Sequence, residues 1–422
     1  MNDIAGLATR RAALVMLDAV LRRSDALDMV EARACRHLAL PEDKAMARAI
    51  AAETLRHLVD CDALIDARTR NRLADDAKVR TVLRMMLAQA LVLKTPAHAV
   101  LATGLPLLDG GPRRLAHGVF GAIMRAGDAL PAIPTLPDAV ASRWHAHWGE
   151  TMVQAARAGL VRNPPVDITL RGGLKHSPSP NLPEGTALMP DHVRLSESGS
   201  VVDMPGYDTG AWWVQNLSAA LAVRLLGRGD GRTAYDLCAA PGGKTMQLGA
   251  SGWQVTAIDV SEKRNRRLQD NLARTRLTAT IITDDLLRWA PDNRADAVLL
   301  DAPCSATGIF RRHPDVLHRI GPRDIADRAD LQARLLERAA QWVRPGGMLL
   351  YAVCSLEPEE GEQQMAAFLE AHGDFATNPI RPDELPVGLH PDENGHLRIL
   401  PQHLADQGGM DGFFIARLLR RP

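Results

Sequence analysis

The feature that most constrains the fold of this 422-residue chain is a regular alternation of strand-like and helical segments from about residue 206 onward. Short apolar runs typical of buried strands span 233–237, 253–259, 278–282, 295–301 and 348–353. Helical stretches lie among them, near 262–274, 324–343 and 358–370. Such alternation is typical of a doubly wound, mostly parallel sheet. We therefore predict an α/β domain over residues 206–422.

Residues 1–130 show helical spacing instead. Leu14, Leu17 and Leu21 are one example of apolar residues at helical intervals, and glycine is rare before Gly104. Repeated prolines punctuate residues 131–205, which we interpret as a connector with a small α/β subdomain. A chain of this length is expected to divide into domains. We expect an all-α domain at 1–130, the connector at 131–205 and the α/β domain at 206–422.

Charge and cysteine content exclude several classes of protein. The 50 basic and 50 acidic side chains give no net charge, so any nucleic-acid site must be a local patch. The five cysteines show neither a disulfide framework nor zinc-ligand spacing, so we expect a reducing compartment and no metal site. We find neither a signal peptide nor an apolar run long enough to cross a membrane. These observations predict a cytoplasmic protein without a membrane partner.

A glycine-rich loop follows the first strand of the α/β domain, with the sequence Asp-Leu-Cys-Ala-Ala-Pro-Gly-Gly-Lys-Thr from Asp236 to Thr245. Such a turn lets the backbone approach a ligand at the carboxyl end of a parallel strand. A phosphate-binding Walker loop needs glycine five residues before Gly243, where this chain has Cys238. No Gly-x-Gly-x-x-Gly motif is present either, which argues against a dinucleotide. A nucleoside without a pyrophosphate, S-adenosylmethionine, fits the loop best.

Carboxylates at the ends of the next two strands complete this predicted site. Asp259 comes 23 residues after Asp236, where a carboxylate accepts hydrogen bonds from ribose hydroxyls. Asp284 and Asp285 end the third strand and could reach the adenine. The alternatives are a strand-end carboxylate that caps the next helix, for Asp259, and an ordinary loop pair, for Asp284 and Asp285.

Two cysteines follow two of the apolar strands, Cys304 in Asp-Ala-Pro-Cys and Cys354 in Ala-Val-Cys-Ser. A ring carbon that is not itself nucleophilic, such as cytosine C5, can be methylated only after a thiolate adds to C6, and a second group must then help release the enzyme. Thiolates are favoured by nearby cations, for which Lys244, Arg311 and Arg312 are candidates. The alternative for each cysteine is a small buried core residue.

These motifs resemble the Sun-type RNA cytosine-C5 methyltransferases, called the RsmB family in bacteria. The resemblance covers the whole α/β domain. Its main motifs are the glycine loop, Asp259-Val-Ser-Glu262, Leu299-Leu-Asp-Ala-Pro-Cys-Ser-Ala-Thr-Gly308, Arg311-Arg-His-Pro-Asp315, Cys354-Ser-Leu-Glu-Pro-Glu-Glu-Gly-Glu362 and Gly412-Phe-Phe-Ile-Ala416. It implies a Rossmann-like S-adenosylmethionine-dependent methyltransferase domain that forms 5-methylcytidine.

The resemblance also implies roles for individual residues. Cys354 is the nucleophile that adds to C6, Cys304 assists release, and Asp301 holds the Watson–Crick edge of the flipped cytosine. DNA cytosine-C5 methyltransferases attack instead with the cysteine of a Pro-Cys pair, which here is Cys304, but a second cysteine one strand later favours the RNA-type assignment. The implied cofactor-binding residues are Cys238, Ala239, Ala240, Pro241, Gly242, Gly243, Lys244, Asp259, Asp285 and Asp301.

Two positions depart from the family pattern. The family commonly has Thr before the nucleophile, where this chain has Val353, and Gln-Asp where this chain has Gln215 and Asn216. Neither position carries the covalent chemistry, so we expect the departures to tune activity without abolishing it.

The N-terminal helices, with Thr95-Pro-Ala-His98 among their motifs, resemble the NusB-like RNA-binding domain of RsmB-type proteins. The implied substrate is RNA and not DNA, most simply a loop or hairpin cytosine of 16S rRNA, and we expect a monomer. The alternatives are another RNA such as tRNA, or a non-enzymatic RNA-binding ribosome assembly factor, which would have lost catalytic groups that this chain keeps. Several basic residues of this region, among them Arg10, Arg11, Arg22, Arg23, Arg68, Arg70 and Arg72, are candidates for RNA contact or for an ordinary solvated helix face.

Overall fold

The computed structural model describes residues 4–161, 163–172, 182–196 and 199–422. The chain forms two compact units: residues 1–163 together with 310–320, and residues 164–309 together with 321–422. The predicted end of the helical domain near residue 130 therefore lies inside the first unit, which continues through a further helical segment with a kink at Gly149. Part of the predicted connector, including residues 173–181, lies outside the described residues.

The elements are numbered in chain order. The helices are α1 (Leu7–Arg23), α2 (Leu27–Ala34), α3 (Pro41–Arg56), α4 (Leu58–Asp66), α5 (Lys78–Leu87), α6 (Ala97–Gly104), α7 (Gly110–Ala126), α8 (Asp138–Gly159), α9 (Leu217–Arg224), α10 (Gly243–Ala250), α11 (Glu262–Thr275), α12 (Val316–Arg319), α13 (Pro322–Gln341) and α14 (Glu362–Ala371). The strands are β1 (Asp167–Leu170), β2 (Gly185–Met189), β3 (His192–Leu195), β4 (Trp212–Val214), β5 (Thr233–Leu237), β6 (Gln254–Asp259), β7 (Thr280–Thr283), β8 (Ala295–Asp301), β9 (Val343–Val353), β10 (Phe375–Thr377), β11 (Leu397–Ile399) and β12 (Phe413–Arg420).

Helix α5 is the centre of the first unit. It packs against α1, α3, α4, α6 and α7, and its residues from Val79 to Leu87 are all buried. Two of them are arginines, and α4 supplies their counter-charges: Arg80 pairs with Asp62 and Asp66, and Arg84 pairs with Asp62. Buried charges require such partners, because an unpaired charge in the interior is very costly.

Residues 310–320 complete the first unit although they follow β8 in sequence. The ring of Phe310 packs against Trp144 of α8, with 5.3 Å between centroids. Asp315 accepts a hydrogen bond from the backbone N–H of Leu27, and His318 donates from Nε2 to the carbonyl oxygen of Leu55. The first unit is therefore discontinuous in sequence.

Most of the arginines proposed from the sequence for RNA contact are already engaged. Arg68 makes a two-pronged ion pair with Asp128, and Arg10 donates to Gln89. The pairs Arg22 with Asp18, Arg23 with Asp25, and Arg72 with Asp75 account for three more. The predicted cationic face is therefore largely neutralised within the described part of the unit.

The second unit is built on a mixed sheet with the order β10-β12-β9-β8-β5-β6-β7, to which β11 is added beside β12. Strands β5 to β9 are parallel, as predicted. Successive residues of β8 face opposite cores: Ala297 and Leu299 belong to one cluster, and Val298 and Leu300 to the other. Burial on both faces explains why β8 is a mostly apolar run, whereas the edge strand β7 is only partly buried.

Strand β12 runs antiparallel to β9 and carries β10 and β11 on its other side. These three strands lie within the region predicted as α/β, but their pairing was not anticipated because two of them have only three residues. In a separate antiparallel sheet, β2-β3-β1-β4, strands β1 to β3 lie in the predicted connector at 131–205, whereas β4 lies beyond its predicted end, in the region predicted as α/β. Within the described ranges, no helix is long and apolar enough to span a membrane.

Candidate active site

The strand order reverses between β5 and β8. From β5 the chain adds β6 and β7 on one side and later β8 and β9 on the other. In open α/β sheets, ligands bind beyond the carboxyl ends of the strands at such a reversal. The glycine loop follows β5, and Cys304 and Cys354 follow β8 and β9, so the fold gathers all three motifs at one edge of the sheet.

Asp236 lies buried near the end of β5 and holds the start of α10. Its Oδ2 accepts a hydrogen bond from Thr245 Oγ1 at 2.6 Å, whereas its Oδ1 has no partner among the described residues. Burial raises the pKa of Asp236 to about 7. In the loop that follows, Gly242 has φ 102°, a conformation that favours glycine, and a Cβ there would lie 3.0 Å from the Leu268 side chain.

Lys244 forms an ion pair with Asp301, with Nζ 2.7 Å from Oδ2. Its ammonium also lies 5.5 Å from the centre of the Phe413 ring. Burial by itself would lower the pKa of Lys244, but the Asp301 carboxylate outweighs it and holds that pKa above the usual value. A lysine committed to a carboxylate differs from the phosphate-binding lysine of a Walker loop.

Asp259 connects the glycine loop to α11. Its Oδ2 accepts from the backbone N–H of Ala240 at 3.2 Å, and its Oδ1 accepts from Ser261 N–H at 2.9 Å. The cap of α11 is Ser261, whose hydroxyl accepts from the backbone N–H of Arg264, so Asp259 supports the turn before the helix and does not cap it. Each carboxylate oxygen of Asp259 keeps a further lone pair for a ligand.

Asp284 and Asp285 lie in the turn after β7. Asp284 accepts from the backbone N–H of Asp285, and Asp285 accepts from Leu287 N–H at 3.0 Å. Both carboxylates thus have local hydrogen bonds, while the Asp285 side chain remains partly exposed.

The Sγ atoms of Cys304 and Cys354 lie 3.4 Å apart. Their hydrogen bond, together with burial, raises the pKa of the Cys304 thiol well above its ordinary value. The sequence predicted nearby cations that would favour thiolates, whereas the surroundings of Cys304 favour its protonated form.

The other cysteines lie in apolar surroundings. Cys238 has a left-handed backbone with φ 62° and packs against the core of the sheet, and burial raises its thiol pKa. Cys35 and Cys61 are buried in the first unit. Arg311 and Arg312 also belong to the first unit, and Arg311 packs against Gly159 of α8.

Sequence reasoning missed a buried acid, Glu360, that links the two cysteine loops. It accepts hydrogen bonds from Ser305, which follows Cys304, and from Ser355, which follows Cys354. The signal was present as a serine after each cysteine. It was hidden because Glu360 lies in a run of acidic residues that resembles a solvated turn.

The positions that depart from the family pattern have structural roles. Asn216 caps α9 by accepting from Ser218 N–H, and Gln215 donates to Gln247 of α10. Val353 is fully buried in the core. No cluster of His, Cys, Asp or Glu able to hold a metal occurs in the part of the chain that the structure describes.

Two family descriptions match the sequence: "16S rRNA methyltransferase RsmB/F" over residues 223–419 and "NusB family" over residues 7–109. Ribosomal RNA small subunit methyltransferase B of Xylella fastidiosa is 34% identical over 445 aligned residues, which cover 100% of this chain and 99% of the relative.

Solved structures show the same fold. The structure of PH0851 has a TM-score of 0.75 at 22% identity and covers 99% of both chains. A methyltransferase homolog from Pyrococcus horikoshii has a TM-score of 0.56 at 25% identity, covering 71% of this chain and 98% of its own.

Proposed function

Because the chain belongs to the ribosomal RNA small subunit methyltransferase B family of RNA methyltransferases, we propose that it forms 5-methylcytidine in 16S rRNA through a cysteine adduct at C6. The observation that carries this proposal is the pair of sulfurs of Cys304 and Cys354, 3.4 Å apart at the ends of adjacent strands. Methylation of a pyrimidine at C5 needs one thiol to add and a second group to reverse the addition.

The loop after β5 fits S-adenosylmethionine, which when bound would supply the methyl group. Gly242 lets the loop pack closely against Leu268 of α11 in a left-handed conformation, which fixes the path of the backbone that would approach the ligand. The one lysine of the loop is turned to Asp301 and not left for a phosphate. Asp259 and Asp285 offer acceptors for hydroxyl and amino groups, in keeping with an uncharged nucleoside.

Cys354 would begin the reaction as the thiolate. Its sulfur adds to C6 of the cytosine, and the electron pair of the C5–C6 double bond makes C5 nucleophilic. Asp301 would accept a hydrogen bond from the N4 amino group at the Watson–Crick edge and so orient the base, while a proton taken up from solvent at N3 neutralises the charge that moves onto the ring and is returned when the adduct breaks down. The ion pair with Lys244 holds the Asp301 carboxylate in place.

Cys304 would complete the reaction by taking the C5 proton. The electrons of that C–H bond restore the double bond and expel Cys354 as the thiolate. In the free enzyme the pKa of Cys304 is raised mainly by its hydrogen bond with Cys354. Adduct formation converts Cys354 to a neutral thioether and removes that cause, which lowers the pKa of Cys304 although burial still raises it, and Cys304 must release its own proton before it takes the one from C5.

A cytosine must leave its stack to reach these groups, so a loop or hairpin of rRNA is the simplest substrate. We propose that the NusB-like unit contributes RNA affinity and selection, and that the protein acts as a monomer. Bisulfite sequencing of total RNA from a deletion strain tests the substrate. Loss of a modified cytidine in tRNA alone would replace 16S rRNA as the target.

The covalent mechanism is tested by trapping. Unmethylated 16S RNA and S-adenosylmethionine are incubated with the wild-type enzyme and the Cys304→Ala, Cys354→Ala and doubly substituted variants, followed by denaturing electrophoresis. Cys304→Ala should accumulate an RNA–protein adduct that is absent from both variants lacking Cys354. Turnover by Cys354→Ala, with none by Cys304→Ala, would reverse the assignment of the thiols.

A further inference from the structure

The loops that carry the two cysteines are joined by one buried carboxylate, that of Glu360. We propose that Glu360 is a positioning residue that fixes Cys304 relative to Cys354 by holding the serine next to each. This inference rests on the proposed two-thiol mechanism and adds a requirement to it. The release thiol must be held at C5 while the nucleophile occupies C6.

The contacts of Glu360 divide evenly between its two oxygens. Oε1 accepts from the backbone N–H of Ser305 at 2.8 Å and from Nε2 of Gln332 at 2.9 Å. Oε2 accepts from the hydroxyls of Ser305 and Ser355. One carboxylate thus binds the residue after each cysteine, and it has no solvent exposure.

The same network also holds the residue before Cys304. Gln332 donates from Nε2 to the carbonyl oxygen of Pro303 at 2.9 Å, so Cys304 is fixed from both sides. Tyr351 of β9 donates to the carbonyl oxygen of Glu360 at 2.7 Å. These bonds link the two cysteine loops to α13 and β9, the rigid elements that flank them.

A buried carboxylate is expensive unless donors satisfy it, and here four donors do. A buried acid with a purely structural role would need only enough hydrogen-bond donors, from any part of the chain. Glu360 is instead satisfied by the neighbours of both reactive sulfurs, which makes their separation depend on one side chain. Displacing a reacting group by about 1 Å can cost a rate factor of about 100.

Trapping with unmethylated RNA distinguishes positioning from folding. Glu360→Ala removes two hydrogen bonds from Ser305 and one from Ser355, so Cys304 should be displaced more than Cys354. Cys354 should still add, whereas release through Cys304 should be about 100-fold slower, so the adduct accumulates. General destabilisation would reduce addition and release together and leave their ratio unchanged. An unchanged ratio of adduct to product would overturn the proposal.

Two conservative variants separate the effect of side-chain length at residue 360 from the effect of its charge. Glu360→Gln keeps the length of the side chain, and the serine hydroxyls can turn to accept from its amide, so release should stay within about 10-fold of the wild-type rate, a smaller loss than the factor of about 100 expected for a displaced thiol. Glu360→Asp keeps the charge but is too short to reach both serines, so it should resemble Glu360→Ala. Faster release by Glu360→Asp than by Glu360→Gln would show that the charge acts, and not the geometry.

The serines provide an internal check. Combined Ser305→Ala and Ser355→Ala substitutions should reproduce the release defect, and adding Glu360→Ala should produce little further loss because the three residues act as one unit. Additive losses would contradict this. Glu384→Gln is the matched control: it removes a partly buried partner of Arg417, in contact with neither cysteine loop, and should leave the ratio unchanged.

Cys304→Ala is the reference in every experiment. If it forms no adduct, the proposed mechanism fails before Glu360 is considered. If it forms adduct and Glu360→Ala does not, only the positioning role fails. Thermal denaturation of each variant identifies any that do not fold, and for those the Glu360→Gln and serine variants decide the outcome.

Discussion

Lys244 Nζ lies 2.7 Å from Asp301 Oδ2, which joins the loop after β5 to the end of β8 across the reversal of strand order. The ion pair connects a residue of the glycine-rich loop to the residue that we propose contacts the base. Lys244 is nearly inaccessible, whereas the Asp301 carboxylate is partly exposed toward the site. One ion pair therefore sets the position of the group that would contact cytosine.

We predict that Lys244→Met lowers both activity and stability. It leaves the Asp301 carboxylate without its counter-charge, at a cost of about 1 to 3 kcal/mol in the free energy of unfolding. Urea denaturation and methyl transfer should both report the change. Lys263→Met, on the exposed face of α11, is the control and should alter neither. Equal effects of the two substitutions would show that Lys244 contributes only general charge.

Asp259→Ala should weaken S-adenosylmethionine binding by about 10- to 150-fold, the equivalent of one hydrogen bond to a charged group. Asp259 also fixes Ala240 N–H, so part of the loss would come from the loop itself. Isothermal titration measures the affinity. Asp270→Ala, on the solvent side of α11, serves as the control. Unchanged affinity in the Asp259 variant would move the ribose site elsewhere.

The stability of the second unit should depend on pH through Asp236. Its folded-state pKa is about 7, above the ordinary value of 3.8, so the folded state favours the protonated form. The stability that this group contributes is complete below pH 3.8 and is lost as the pH rises to 7. Asp236→Asn mimics the protonated group, so its advantage over the wild type should grow by about 2 to 3 kcal/mol between about pH 5 and 8. Urea denaturation that gives a constant difference would contradict this.

RNA affinity of the first unit should depend on arginines that lack protein partners. Arg113 and Arg114, near the start of α7, are exposed and have no ion pair among the described residues. Their replacement by alanine should weaken RNA binding and reduce the salt dependence of log K by about 0.7 to 0.9 for each phosphate that the variant no longer neutralises. Arg68→Ala, which breaks the pair with Asp128, should change the slope much less. Fluorescence anisotropy between about 50 and 200 mM salt measures both.

The central parallel strands could be predicted from the sequence because burial on both faces makes them largely apolar runs. Three-residue strands such as β10 and β11 carry no such pattern, and their pairing with β12 depends on residues distant in sequence. The same dependence on residues distant in sequence limited the prediction of the active site. The glycine loop and the two cysteines are local motifs, whereas the pairing of Lys244 with Asp301 exists only after β5 and β8 become neighbours.

Glu360 illustrates the limit most clearly. By composition it is one acid in an acidic turn, for which exposure is the ordinary expectation. It is buried because Ser305, Ser355 and Gln332 donate to it from three separate segments. The arginines of the first unit show the opposite case. The sequence offered them as free for RNA contact, but most of them are paired in the fold.

The position of residues 310–320 in the first unit has a consequence for synthesis on the ribosome. The N-terminal helices emerge first, but Trp144 and the carbonyl oxygen of Leu55 receive their partners, Phe310 and His318, only when that segment has been made. At about 5 to 20 residues per second, the intervening chain takes roughly 10 to 30 s to translate. For that interval Trp144 lacks the Phe310 ring that packs against it, and the first unit is complete only when translation has passed residue 320.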